Sequence, residues 1–143
     1  MLFAALTPLA TAAVLALTAA APAPASDWMW RPVLAFDEVS VDLDANTVQG
    51  AGPFTVQLRW SFRERAASPQ AWDAGVRYSI DVVEIDCQAR ATRTWASSAF
   101  TQGGDVVADL SFAHDAPAWS RHKAESIGGM LAREACAALQ PRG

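Results

Sequence analysis

Positive charge is scarce in this chain of 143 residues, which has 11 lysine and arginine residues against 15 aspartate and glutamate residues. The formal net charge is −4, and the pI is near 5.0. An acidic protein does not attract nucleic acid or an anionic membrane surface, so neither is expected as a partner. The chain also lacks runs of like charge and internal repeats at solenoid periods, which favours a single domain.

Charge is absent altogether from the first 20 residues, which are mainly Ala, Leu and Val. The small-residue segment APAPAS follows over 21–26, which is the layout of a secretory signal and its cleavage site. Cleavage is predicted between Ala25 and Ser26, giving a signal peptide over 1–25 and a domain over 26–143. The alternative is a membrane anchor, but the apolar run is marginal for the roughly 20 residues that a span needs. We therefore expect an exported protein (periplasmic, surface-located or secreted) without a membrane span after cleavage.

Alternation of apolar and polar residues predicts that most of the domain is β-structure. In the clearest segment, five apolar side chains share one face of a half-buried strand: Phe54, Val56, Leu58, Trp60 and Phe62. Further strands are predicted near 33–36, 39–44, 76–87, 89–100 and 106–112. At Val82 and Val83 the apolar positions change face, which indicates a β-bulge or a strand that is buried on both faces.

The pattern changes to a helical period from about Glu125. At 100° per residue, one half of the helix carries Ile127, Gly128, Leu131, Ala132, Ala135, Ala138 and Leu139. The small residues in the middle of this arc would let the helix axis lie close to the sheet. The predicted fold is therefore α+β, a meander of four to six antiparallel strands with a C-terminal helix packed on one face.

Cysteine and histidine, which are common in metal sites and nucleophilic centres, occur only twice each. Two cysteines in an exported protein favour a disulfide. Cys87 ends the central strand and Cys136 lies at the edge of the apolar arc, so this bond would tether the helix to the sheet. His114 and His122 precede the helix without a third ligand spaced with them, and are expected to be exposed polar residues.

Two groups of acidic residues have a functional and a structural interpretation. Asp42, Asp44 and Asn46 are spaced like the opening of a calcium loop, but the sixth and twelfth positions do not carry the required Gly and Glu, which favours a solvated turn. Glu84 and Asp86 share one strand face, as some acid–base pairs do. Ion pairs with an arginine across the hairpin, Arg90 or Arg93, are the favoured interpretation. The sequence thus predicts no catalytic residue, no metal site and no cofactor.

Tryptophan is abundant, with six residues in the chain. Trp60 lies on the apolar face of the clearest strand and is expected in the core. Trp72 lies in the polar loop 66–74 and is the candidate for contact with a protein partner, because tryptophans are frequent binding anchors.

Several segments, in this order, resemble the surface-adhesin protein E family of Gram-negative bacteria: VEIDC, QARATRTWASSAF, GGDVV, a tryptophan before the last helix, and SIGGMLAREAC. The resemblance covers roughly residues 36–136. It implies an antiparallel sheet with a C-terminal helix tethered by a disulfide. It also implies surface-exposed binding, in the best-known member to host matrix proteins such as vitronectin and laminin. That member looks lipid-anchored, whereas no cysteine here lies near the N-terminal segment.

Two functions from different classes remain open. The first is an exported, non-enzymatic binding or adhesion module whose ligand is a matrix or envelope protein. The second is a small periplasmic enzyme or enzyme inhibitor that uses Glu84, Asp86 and His114. A homodimer also stays open. A closed polar pocket with convergent titratable groups would favour an enzyme, whereas an open sheet face or an exposed aromatic loop would favour a binding module.

Overall fold

The computed structural model describes residues 29–111 and 115–139. Its main feature is a sheet of six antiparallel strands that lie side by side in chain order: β1 Trp30–Ala35, β2 Val39–Asp44, β3 Phe54–Phe62, β4 Tyr78–Asp86, β5 Ala91–Phe100 and β6 Val106–Ser111. A two-residue strand, β7 Ser120–Arg121, pairs with the start of β5. The α-helices in the described ranges are α1 Pro69–Asp73 and α2 Ile127–Leu139, and short 3-10 helices cover Ala45–Thr47 and Arg65–Ala67. The predicted meander with a C-terminal helix is therefore confirmed, with one short additional strand.

The strand register gives the sheet two faces of different character. On one face, alternating apolar residues of the strands pack against α2. Together they form the core: Val41, Leu43, Val56, Leu58, Val83 and Ile85 from the strands, with Leu131, Ala132 and Ala135 from α2. We call this the helix face and its opposite the open face. Trp60 packs partly buried against the core, as predicted. The open face carries the intervening side chains, among them Arg59, Ser61 and Tyr78.

The predicted irregularity at Val82 and Val83 is a β-bulge. Val82 pairs with Ala96 and Val83 pairs with Thr94, so Trp95 is the additional residue. The bulge therefore lies on β5, while β4 itself alternates without interruption.

Helix α2 is held at both its beginning and its end. The Ser126 hydroxyl accepts a hydrogen bond from the Gly129 amide (3.1 Å), which is an N-cap. Near the other end, Cys136 forms the predicted disulfide with Cys87, with 5.8 Å between the Cα atoms. The bond thus fixes the helix beside the end of β4. In the described ranges, α2 and α1 both fall short of what a bilayer-spanning helix requires in length and hydrophobicity.

The predicted apolar arc of α2 is wrong at two positions. Ile127 is 48% exposed and Ala138 is exposed, while the buried residues include Gly129, Ala132 and Ala135. Leu131, Ala132 and Ala135 belong to the core that packs against the sheet. Ile127 and Ala138 lie about 80° and about 60° from Ala135 around the helix, at one edge of the buried arc.

The small residues at the start of α2 make room for the preceding turn and not for the sheet. A Cβ atom at Gly128 would overlap the His122 ring, and one at Gly129 would overlap the Lys123 carbonyl. His122 itself is half-buried and forms a 2.8 Å hydrogen bond with the Thr92 hydroxyl. The expectation that His122 is an exposed polar residue was therefore wrong.

Strand β6 also differs from its sequence pattern, which indicated a half-buried strand. All six of its residues are exposed, including Val106 (63%) and Leu110 (54%). β6 pairs with the second half of β5, whereas α2 covers parts of β1, β4 and β5. The alternating residues of β6 therefore have no helix against which to pack within the described residues.

Candidate binding site on the open face

The open face contains a concavity of about 960 Å³ at the edge where β3 ends, β4 begins and β5 ends. Its floor is apolar. Tyr78 and Phe100 are directly opposite on neighbouring strands and stack with their ring centroids 4.9 Å apart. Ile80, two residues along β4 on the same face, extends this floor. Offset stacking of this kind stabilises the strand pair and gives the concavity a flat apolar base.

Trp72 forms a wall of the concavity, and a short structured segment holds it there. The expected polar loop contains the five-residue helix α1, which begins at Pro69, a favourable first helical position. The Gly75 amide closes the segment by donating to the Trp72 carbonyl at 3.0 Å, and Gly75 has a φ of +86°, which glycine adopts without strain. The Trp72 side chain is half-buried.

Arg77 fixes the Trp72 ring from one side. Its guanidinium lies 3.7 Å from the ring centroid, a cation–π contact, and its Nη1 donates to the carbonyls of Trp72 (3.1 Å) and Val76 (2.9 Å). The packing of Trp72 and the orientation of Arg77 therefore depend on each other.

Two further arginines line the concavity. Arg59 pairs with Asp42 at 2.9 Å and lies over the Trp30 ring at 4.7 Å. Arg63 is exposed and donates a long hydrogen bond of 3.4 Å to the Phe36 carbonyl. No carboxylate belongs to the lining within the part of the chain that the structure describes. The concavity is thus cationic, although the whole protein is acidic.

The acidic residues considered as an acid–base pair have structural partners. Glu84 accepts from Arg93 Nε (2.6 Å) and from Trp95 Nε1 (3.1 Å), which confirms one of the two expected arginine partners. The hydrogen bond from Arg93 is the main cause that lowers the Glu84 pKa. Asp86 instead caps the following turn by accepting from the Gln88 and Ala89 amides, both at 2.9 Å. Both carboxylates are thus engaged in structural hydrogen bonds.

The calcium-like segment is likewise occupied by internal contacts. Asp42 pairs with Arg59 on the open face, whereas Asp44 is buried and accepts from the amides of Met29 (3.1 Å) and Asn46 (3.0 Å). The turn interpretation is supported, although Asp44 is buried rather than solvated. Within 29–111 and 115–139, no group of three or more His, Cys, Asp or Glu side chains is arranged to hold a metal ion. His114 lies outside the described residues.

Sequence reasoning singled out Trp72 but missed Arg63, Arg77 and the Tyr78–Phe100 floor. Part of the site could have been found from the strand alternation, because Arg59, Ser61 and Arg63 occupy the positions between the core residues of β3 and its continuation. The rest depends on strand register and on the turn after α1.

Asp81, on the helix face, has a pKa shift in the opposite direction to that of Glu84. Asp81 accepts from the Ser97 hydroxyl at 2.6 Å, and burial raises its pKa, a larger effect than that of this hydrogen bond. Because the folded protein binds this proton more tightly than the unfolded chain, ionised Asp81 lowers stability as pH rises through its folded pKa. Glu84, with its lowered pKa, loses its stabilising effect as pH falls through its folded pKa.

We therefore expect Asp81→Asn to increase the free energy of unfolding at pH 7 and to have a smaller effect at pH 3. Glu84→Gln should decrease stability at pH 7, and its effect should also shrink at pH 3. Urea unfolding of both variants and wild type at the two pH values measures this. Equal effects of Asp81→Asn at pH 7 and pH 3 would contradict the assigned pKa direction.

Comparison with known proteins gave one finding. The family model described as Surface-adhesin protein E matches residues 30–137. The match includes both cysteines, the segment with Trp72, and the strands that build the concavity. No curated protein and no solved structure gave a significant match.

Proposed function

The chain belongs to the surface-adhesin protein E family, and we propose on this premise that it is an exported, non-enzymatic adhesion module that binds a protein ligand. We place the ligand in the concavity of the open face. The observation that carries this proposal is Trp72, an aromatic side chain held in advance at the wall of an open, apolar-floored site. A rigid aromatic anchor loses little entropy on binding and is typical of the residues that contribute most to protein interfaces.

The arrangement of polar groups favours binding over catalysis. A general acid or base needs a free titratable group that points into a pocket. Glu84 is instead paired with Arg93, Asp86 caps a turn, and the concavity is lined by arginines and aromatic rings. Arginine stays protonated and is a poor proton donor or acceptor, which suits recognition of a ligand.

Export is the second part of the proposal. The segment that predicts it, residues 1–25, lies outside the described residues. We expect the mature protein to begin at Ser26, because the bond after Ala25 satisfies the small-residue rule for signal cleavage. Mass spectrometry of the protein purified from the envelope or medium measures this directly. A membrane-retained chain that still begins at Met1 would contradict it.

Replacing Trp72 with alanine tests the binding site. We expect Trp72→Ala to weaken binding to surfaces coated with vitronectin or laminin by about 1 to 2 kcal/mol, or roughly 5- to 30-fold, because it removes the anchor. Binding is measured by biolayer interferometry, and thermal unfolding shows that each variant is folded.

Trp119→Ala is the matched control. Trp119 is 37% exposed and lies 4.5 Å from Arg93, outside the lining of the concavity. Its removal, like Glu84→Ala, should leave binding within a few fold. A larger effect of Glu84→Ala than of Trp72→Ala would argue against the proposal and favour the small periplasmic enzyme or inhibitor.

A further inference from the structure

The charge of the concavity is opposite to that of the protein. Three arginines, Arg59, Arg63 and Arg77, line one site in a chain whose net charge is −4. Arg59 is neutralised in part by Asp42. In the described residues, Arg63 and Arg77 form no ion pair with a carboxylate, and their hydrogen bonds run to backbone carbonyls. Two positive charges at this site are therefore left uncompensated.

The orientation of Arg77 leaves much of its hydrogen-bonding capacity for a ligand. Within the described residues, the Arg77 side chain donates hydrogen bonds through Nη1, and its contact with the Trp72 ring orients the guanidinium. The Nε and Nη2 edge remains for an acceptor. This edge of a guanidinium matches the two oxygens of a carboxylate, and a fixed plane reduces the entropy lost when the pair forms.

The floor sets a second requirement for the ligand. The stacked Tyr78 and Phe100 rings, with Ile80 beside them, offer apolar contact and no charge. A small inorganic anion would leave this floor uncovered. A ligand that combines an aromatic or aliphatic side chain with neighbouring carboxylates would satisfy both the floor and the arginines.

The size and the overall charge narrow the class of ligand further. A volume of about 960 Å³ lies at the upper end of the roughly 300 to 1,000 Å³ of small-molecule sites, and this one is open to solvent. It therefore accommodates a peptide segment of a few residues. An extended polyanion such as nucleic acid would place further negative charge along an acidic protein, which the net charge opposes.

We propose that the concavity recognises an acidic segment of a partner protein, whose carboxylates pair with Arg63 and Arg77 while a neighbouring apolar side chain lies on the Tyr78–Phe100 floor. This inference rests on the proposed binding function and specifies the chemistry of the partner. Charge complementarity of this kind sets specificity and association rate, whereas the aromatic contacts retain the ligand.

A pair of synthetic peptides tests the charge requirement. The probe is a fluorescein-labelled Glu-Phe-Glu-Phe-Glu peptide, and its isosteric control is Gln-Phe-Gln-Phe-Gln. Fluorescence anisotropy with the 26–143 protein should show at least 5-fold tighter binding of the glutamate peptide at 50 mM salt. This preference should fall at 300 mM salt, since screening weakens exposed ion pairs. Equal binding of the two peptides would overturn the proposal.

Two variants with the same change of charge locate the site. Arg63→Gln should weaken binding of the glutamate peptide about 5-fold, because it removes one of the two uncompensated positive charges. The fold should be unaffected, since Arg63 is exposed and its loss disturbs only one long hydrogen bond. Arg133→Gln removes an exposed arginine from α2, remote from the concavity, and should leave the affinity within 2-fold. Similar losses in both variants would show that only the overall charge matters, and would overturn the assignment of the site.

Arg77→Lys separates geometry from charge. It keeps the positive charge but removes the planar fork, and we expect a loss of about 3- to 10-fold for the glutamate peptide and little change for the glutamine peptide. Thermal unfolding checks that the segment around Trp72 is intact. Unchanged affinity for the glutamate peptide would contradict a paired carboxylate at Arg77.

The outcomes distinguish this inference from the broader proposal. If the glutamate peptide has no advantage while matrix-protein binding still depends on Trp72, the acidic-segment inference fails and the binding function stands. If sedimentation shows a dimer that Arg63→Gln dissociates, the occupant is a second copy of the chain, and the inference is overturned. If the protein is monomeric while Trp72→Ala weakens matrix-protein binding and Arg63→Gln weakens glutamate-peptide binding, the acidic-segment inference is supported.

Discussion

Breaking the Cys87–Cys136 bond should lower the free energy of unfolding by about 4 kcal/mol. The disulfide links residues 49 positions apart, and the chain-entropy estimate for a loop of this length is roughly 4 kcal/mol. A domain of this size usually has about 5 to 15 kcal/mol in total, so the expected loss is a large share of the stability. Urea unfolding of Cys136→Ser and of the reduced wild type measures it, and both should show a similar loss.

When the disulfide is broken, α2 should lose its structure before the sheet does. The strands pair with neighbours that follow directly in the chain, whereas α2 docks from a distance on β1, β4 and β5. We therefore expect amide exchange over 127–139 to accelerate before exchange in β3 and β4 when the bond is reduced. Cys87→Ser/Cys136→Ser should reproduce this order without a free thiol. Uniform acceleration across the sheet and the helix would contradict a tether that acts mainly on the helix.

Gly129→Ala should destabilise the fold by about 2 kcal/mol net (about 3 kcal/mol of overpacking less about 1 kcal/mol of propensity), although alanine is the better helix former. The expected propensity gain is about 1 kcal/mol. The added methyl group would overlap the Lys123 carbonyl, which already accepts hydrogen bonds from the Ser126 amide and hydroxyl. Overpacking of this kind typically costs about 1 to 3 kcal/mol, and a backbone obstacle places the cost at the upper end. Urea unfolding measures the net change.

The reverse substitution at an exposed position of the same helix is the control. Ala137 is exposed, so Ala137→Gly should report propensity alone and lower stability by about 1 kcal/mol. If propensity governed the glycine as well, Gly129→Ala would increase stability by a similar amount. Such an increase would show that the turn before α2 moves aside easily.

The features that depend on side-chain alternation could be predicted from the sequence. On β3 the apolar residues from Phe54 to Phe62 repeat every second position, and a strand must then present them to one face. The disulfide was also predictable, because a chain with two cysteines has one possible intramolecular pair. Its place at a strand end and on a helix follows from the patterns around Cys87 and Cys136.

The features that depend on which surfaces meet could not be predicted in this way. β6 alternates as a half-buried strand does, yet α2 does not cover it, and Val106 and Leu110 stay exposed. His122 is half-buried because the turn before α2 folds it against Thr92 and Gly128. No local pattern specifies either contact.

The concavity also combines one feature that could be predicted from the sequence with others that could not. The tryptophan in the loop after β3 is visible in the sequence as an aromatic residue in a polar segment. Its stack with Arg77 and its position beside the Tyr78–Phe100 floor arise only when register brings the ends of β3, β4 and β5 together. A binding site assembled from three strands and a turn has no contiguous motif.

The central claim is that the open face binds the ligand while the helix face and its disulfide serve stability. Hydrogen–deuterium exchange of the 26–143 protein, free and in complex with vitronectin or laminin, tests this claim most directly. We predict slower exchange on binding over 59–63, over 72–80 and at Phe100, with no change over 127–139. Protection confined to α2, with exchange around the concavity unchanged, would contradict it.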